Sequence, residues 1–204
     1  IAQCLVGSEM CIRDRKYANS KNVKIMGDLP MYSSFFSSEV YFHYEYYQLD
    51  KQKNPLFLSG ARPDGFSSTG QCWGHPVYNW DKIAEDGFKF WLDKIAYAAN
   101  LYDGIRFDHF RGFESYWAIP AKNPNALKGV YKPGPGKELF IRAKPYISKK
   151  TIVGEDQGIT SVEVQKLIDC LGFNNMRVFQ YILDENNSKD TPENYTKKCI
   201  AYTG

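Results

Sequence analysis

Several familiar signals are missing from this 204-residue sequence. No apolar run approaches the ~18–20 residues that a membrane-spanning helix needs. Neither sign of charge dominates: 26 Lys and Arg stand against 23 Asp and Glu, a formal +3. That balance excludes a strongly basic nucleic-acid binder and an acidic tail. The five cysteines (Cys4, Cys11, Cys72, Cys170, Cys199) contain no Cys-x-x-Cys pair, and their number is odd. The pattern predicts a reduced, cytoplasmic protein without a disulfide framework or zinc site. Neither a G-x-G-x-x-G turn nor a Walker sequence occurs, so the usual phosphate cradle of an open nucleotide-binding sheet is absent.

What the chain has in quantity is rings: 15 Tyr, 13 Phe and 4 Trp. So many must fill a large core or line a surface that stacks against ring-shaped partners. Hydrophobic residues make up 43% of the chain, enough for a packed core. The length suits one domain, or one and a fraction. Residues 1–15 (IAQCLVGSEMCIRDR) form no signal peptide, lacking a basic start before an apolar core. They resemble the read-through of a sequencing-library transposon end. Native sequence is therefore expected from about Lys16, downstream of a truncation.

From Lys21 onward, short β-like runs alternate with helical patterns. Residues 23–28 (VKIMGD), 104–108 (GIRFD), 151–155 (TIVGE), 177–181 (RVFQY) and 200–203 (IAYT) read as strands. Apolar residues at three- and four-residue spacing predict one helix over 81–102. A second is expected over 137–143, ended by Pro145. A third begins with Thr160 as N-cap, Glu163 completing a capping box, and ends at Gly172. Residues 123–136, rich in Gly and Pro, read as a loop. This order implies a parallel sheet with helices outside it. Without a phosphate turn the reading is an α/β fold, an incomplete (β/α)8 barrel. A complete barrel takes ~250 residues, so this chain would be its central part.

Active sites of such barrels lie at the C-terminal ends of the strands. The carboxylates there are Asp28, Asp108 and Glu155. Residues two apart on a strand share a face, so Arg106 and Asp108 point into the barrel together. A neighbouring guanidinium favours the ionised acid, as a nucleophile requires. Glu155 follows an apolar strand that could desolvate it and keep it protonated. A protonated Glu opposite an ionised Asp is the arrangement for cleaving a glycosidic bond with retention. Carboxylates at strand ends also cap helices or bind metals, and the residues alone leave that open. His109 has no second histidine at ligand spacing, so no metal site is expected. Residues 31–80 carry thirteen aromatics, far more chain than a usual connection, and predict an inserted substrate-binding region. A subdomain with its own aromatic core fits equally.

These blocks together carry a resemblance. IMGDLPMY (25–32), PDGFSSTGQCWGHPVYNW (63–80), GIRFDHFRGFESYWAIP (104–120), GEDQG (154–158), LGFNNMRVFQY (171–181) and YTG (202–204) run in one order. They are similar to the central part of the 4-α-glucanotransferases of amylomaltase type, glycoside hydrolase family 77. The resemblance implies a (β/α)8 barrel acting on α-1,4-glucans and maltooligosaccharides, with neither metal nor organic cofactor. Nucleic-acid, membrane and protein partners are not expected. It matches Asp108 to the nucleophile, Glu155 to the general acid/base and Arg106 to the nucleophile's support. Asp28, Phe66, Trp73, His109 and Tyr181 match substrate-binding positions. Departures are Gly65 for a frequent Tyr, His75 for Asn and Gln157 for Leu. The third carboxylate of the family follows YTG, where this sequence stops, so the fragment alone is expected to be inactive. An α-amylase-clan hydrolase and a non-catalytic glucan-binding protein are the rival readings.

Overall fold

A computed structural model describes residues 2–65, 67–123, 125–157, 161–180, 193, 195 and 198–202. The first described element is helix α1 (Ala2–Ser20), continuous through residues 2–15 and beyond. Its Arg15 donates to the Asn100 carbonyl at 2.7 Å.

Five strands build a parallel sheet in the order β1-β4-β7-β8-β9. They are β1 (Met26–Leu29), β4 (Gly104–Phe107), β7 (Thr151–Gly154), β8 (Asn174–Val178) and β9 (Cys199–Tyr202). Helices α4 (Lys89–Leu101), α6 (Gly136–Ile147) and α7 (Val162–Leu171) belong to the crossovers between them. One face of β1, β4, β7 and β8 packs on those helices. Ile105, Phe107 and Ile152 join the main core with Trp91, Ile95, Leu139, Phe140 and Ile168. The other face turns Val153, Met176 and Val178 into a small separate cluster. Gly27 allows this packing, since a Cβ there would lie 2.0 Å from the Tyr102 ring. The arrangement is a section of a barrel, as the alternation of strands and helices predicted.

The helix expected over 81–102 is two helices, α3 (Trp80–Glu85) and α4. Gly87 and Phe88 both adopt left-handed backbone, φ 71° and 65°. The Asp86 carboxylate accepts the Lys89 N–H at 3.1 Å, capping α4. Phe88 is buried at this turn. Pro145 does not stop α6, which runs on to Ile147. In α7 the N-cap is Ser161, whose hydroxyl accepts from Val164 N at 3.4 Å; Thr160 lies outside the described residues.

A second, antiparallel sheet has the order β3-β2-β5-β6. Strands β2 (Phe57–Ala61) and β3 (Gln71–Pro76) come from the aromatic stretch. Strands β5 (Ser115–Pro120) and β6 (Val130–Pro133) come from chain that follows β4. The inserted region therefore does not stand alone within 31–80. Residues 123–136, read as a loop, contain β6 and a 3-10 turn (Ala126–Lys128). Gly and Pro there mark the ends of a hairpin rather than an open loop. Helix α2 (Ser38–Phe42) and a turn at Tyr44–Tyr46 complete this half, and a short helix α5 (Arg111–Glu114) leads from β4 into β5.

Candidate active site

Strand register decides which side chains meet. Asp28 pairs with Arg106 across β1 and β4, and Arg106 with Val153 across β4 and β7. Asp108 and Glu155 each follow the last residue of adjacent parallel strands by one position. Main-chain bonds hold those ends: Glu155 N donates to the Phe107 carbonyl at 3.0 Å, and Phe110 N to the Glu155 carbonyl at 3.1 Å.

Arg106 joins the acids. Its Nη1 donates to Asp28 Oδ1 at 2.5 Å, and its Nη2 lies 2.9 Å from Asp108 Oδ1. The guanidinium was expected beside Asp108; it also reaches Asp28 and so spans two carboxylates. Its Nε donates to the Met176 thioether at 3.3 Å, a weak neutral acceptor. Burial opposes the charge on Arg106. The Asp28 bond and the charges of Asp108, Asp28 and Glu155 outweigh it and hold the guanidinium above its ordinary value.

Glu155 is the opposite case. Burial raises its carboxyl, and the Asp108 charge adds to the effect, against the Gln157 N–H and Arg106. The net direction is upward, toward a protonated acid. Oε1 accepts from Gln157 N at 2.9 Å and Oε2 from His109 N at 3.0 Å. The Gln157 contact comes from its backbone, so the departure from Leu at that position leaves it intact.

His109 has a left-handed backbone, φ 44°, a costly conformation that aims its N–H at Glu155. Burial, followed by the nearby Arg111 charge, pushes its imidazole down to about 4. It is a neutral ring near pH 7. Its Nε2 is buried without a hydrogen-bond partner. The ring stands edge-on to Trp73, centroids 4.7 Å apart and planes at 82°. Trp73, from β3, is half-buried and donates to Gln71 Oε1 at 3.0 Å. The antiparallel sheet thus delivers an aromatic wall beside the carboxylates. Asp28, Arg106, Asp108, His109, Glu155 and Trp73 converge on one end of the parallel sheet. Phe66 and Tyr181 lie outside the described residues.

Sequence reading missed two groups. Asp156, buried behind Glu155, accepts from Met176 N at 2.9 Å, Asn175 Nδ2 at 2.8 Å and Arg177 Nη1 at 3.0 Å. It fastens β8, and with it Met176, against the end of β7. The Glu-Asp doublet was a usable signal, because alternation sends its second acid to the outer face. The other group is Glu39, which accepts from Tyr47 at 2.7 Å and from Lys94 at 3.0 Å. Tyr78, stacked on Tyr32 at 6.0 Å, also donates to it. No local pattern links positions 55 residues apart. Among the described residues no cluster of three or more His, Cys, Asp or Glu is arranged to hold a metal.

Comparison with known proteins identifies the family. The family profile described as 4-alpha-glucanotransferase matches residues 6–204. The 4-alpha-glucanotransferase of Clostridium butyricum is 40% identical over 192 residues, covering 93% of this chain and 39% of the relative. That of Aquifex aeolicus is 38% identical over 189 residues, with coverage of 93% and 39%. The solved amylomaltase of Streptococcus agalactiae, in complex with acarbose, superposes with a TM-score of 0.87 at 38% identity. It covers 96% of this chain, which spans 40% of that structure. With the family profile matched across residues 6–204 and the barrel section superposing on a solved amylomaltase, the chain belongs to glycoside hydrolase family 77, the 4-α-glucanotransferases.

Proposed function

We propose that this chain forms the central catalytic section of an enzyme that moves α-1,4-glucan segments between maltooligosaccharides with retention. The chain spans 39% of the Aquifex relative's length, so the activity is assigned to the full-length protein. The observation that carries the reading is the pair Asp108 and Glu155 at adjacent strand ends, one bound to a guanidinium and the other raised by burial.

In the first step Glu155 gives its proton to the leaving glycosidic oxygen while an Asp108 oxygen attacks the anomeric carbon. The C–O bond breaks, and a β-glucosyl ester on Asp108 forms. Arg106 holds Asp108 in place for that attack. In the second step Glu155, now ionised, takes the proton of an acceptor's 4-hydroxyl, whose oxygen displaces Asp108. His109 stays neutral and contacts substrate by family resemblance. Trp73 offers a face to an apolar sugar surface. Asp28 shares the Arg106 guanidinium and stands at the same rim. Phe66 and Tyr181 complete the substrate contacts by family resemblance. The free thiols of Cys11, Cys72 and Cys170, all exposed, support a cytoplasmic location for the protein.

The deciding assay is incubation of the full-length protein with maltotriose. Glucose and longer maltodextrins at a constant number of reducing ends support the transferase. A steady rise in reducing ends assigns a hydrolase, and binding without turnover a non-catalytic protein.

A further inference from the structure

A groove of about 560 Å³ lies away from the carboxylates, between helix α2 with its following turn and the first half of α4. Five rings line it: Phe42, His43, Tyr46, Phe90 and Tyr97. Phe42 is 69% exposed and Tyr97 53%, whereas Phe90 is buried beneath them. His43 and Tyr46 stack at 6.0 Å, and Tyr46 packs on Phe90 at 5.0 Å, so the inner rings form a rigid floor. Large rings left in water on both sides of a concave surface mark a binding face.

The charges identify its occupant. Three carboxylates and two ammonium groups line the groove, and each is engaged within the protein. Lys94 is held by Glu39 at 3.0 Å, Lys89 by Asp93, and Asp86 accepts the Tyr46 hydroxyl at 2.5 Å. Both lysines being neutralised, a phosphate or carboxylate ligand gains nothing and meets a surplus of negative charge. A purely apolar ligand would strip water from five charged groups without compensation. A neutral molecule with apolar faces and many hydroxyls satisfies both demands. Its C–H faces cover the rings, and its hydroxyls donate to the free lone pairs of Asp86 and Asp93.

We infer that this groove is a second glucan-binding site that holds a few glucose units of a polymer outside the catalytic cleft. The inference rests on the transferase reading above and deepens its substrate class toward long, branched or polymeric glucans. The groove lies on the helical side of the parallel sheet, and Asp108 and Glu155 face the barrel interior. One short oligosaccharide therefore does not fill both. A polymer does, and tethering it raises the local concentration of its chain ends at the cleft.

The test compares the full-length protein with its Phe42→Ala/Tyr97→Ala variant. Affinity electrophoresis in glycogen gels gives binding, and maltotriose disproportionation gives the cleft's own competence. Loss of two stacking faces is expected to weaken glycogen binding by roughly tenfold or more. Maltotriose kcat and KM should stay unchanged, as should the melting temperature, both rings being exposed. Tyr97→Trp should retain the wild-type affinity. Undiminished glycogen affinity in the folded variant overturns the inference, and so does a maltotriose KM that rises in step. Absence of maltotriose turnover in the wild type would sink the transferase reading instead, while the glycogen gels still decide the groove.

Discussion

The two sheets of this protein solve the problem of positioning in different ways. The parallel sheet places charged groups, and it does so by main-chain register. Asp28, Arg106, Asp108 and Glu155 are fixed by ladders running from β1 to β7 and by two ion pairs on one guanidinium. The antiparallel sheet places rings, and it does so by packing. Trp73 touches His109 at 4.7 Å and Tyr32 at 6.1 Å, and Tyr32 leads back through Tyr78 to the partly buried pair of Glu39 and Lys94. Hydrogen-bond ladders tolerate little displacement, whereas ring contacts are soft and individually small. Under the proposed function, chemistry that depends on tenths of an ångström would belong to the first sheet, and the aromatic face for substrate to the second.

Substitutions should separate the two sheets by what they destroy. The largest effect is expected from Asp108→Asn in the full-length protein, a loss of at least roughly 10³-fold in kcat with glucan binding retained. Substantial turnover in that variant would remove the nucleophile from the mechanism. Glu155→Gln follows, at about 10²–10⁴-fold. Its pH profile is more telling than its size. A general acid works protonated, so wild-type activity should fall as pH rises through the raised Glu155 value. That limb should vanish in the variant. His109, pushed down to about 4, contributes no limb near neutrality.

On the aromatic side the expected losses are of stability or affinity rather than of chemistry. Lys94→Met leaves Glu39 partly buried without its cation, and should cost about 3–5 kcal/mol in denaturant unfolding. Turnover per folded molecule should stay close to wild type. Burial opposes the charge on Glu39, but Lys94 with the Ser33 and Tyr47 hydroxyls holds it below the ordinary carboxylate range. Its stabilisation is therefore complete above the unfolded glutamate value and is lost as pH falls through the lowered folded one. Glu39→Gln should flatten that acid-side decline. The smallest effect is expected from Trp73→Ala, a rise in KM of roughly three- to tenfold with kcat nearly unchanged. A kcat loss as deep as that of Glu155→Gln would mean that the ring orders the charges as well as the sugar.

Much of the parallel sheet was legible in the sequence because its signals are local. Short apolar strands ending in Gly-Asp or Gly-Glu, and alternation along GIRFD, put the acids and Arg106 on one face before any tertiary contact is known. The errors fell where local signals compete. Continuous apolar spacing across 81–102 concealed the break at Gly87 and Phe88, where both residues take left-handed backbone. The Gly and Pro residues of 123–136 suggested open loop, yet β6 forms there because β5 supplies its hydrogen-bond partners. The antiparallel sheet itself was illegible, since β2 pairs with β5 about 60 residues onward.

By itself, then, the sequence determined which carboxylates would stand at strand ends and which would share a face, because the strand repeat is a property of the backbone. Only the tertiary structure decided that Arg106 would divide itself between Asp28 and Asp108, that burial would push the Glu155 carboxyl above its ordinary value, and that Glu39 would meet Lys94. Those outcomes depend on desolvation and on distances between groups far apart in the chain. Both arise only when the chain closes on itself.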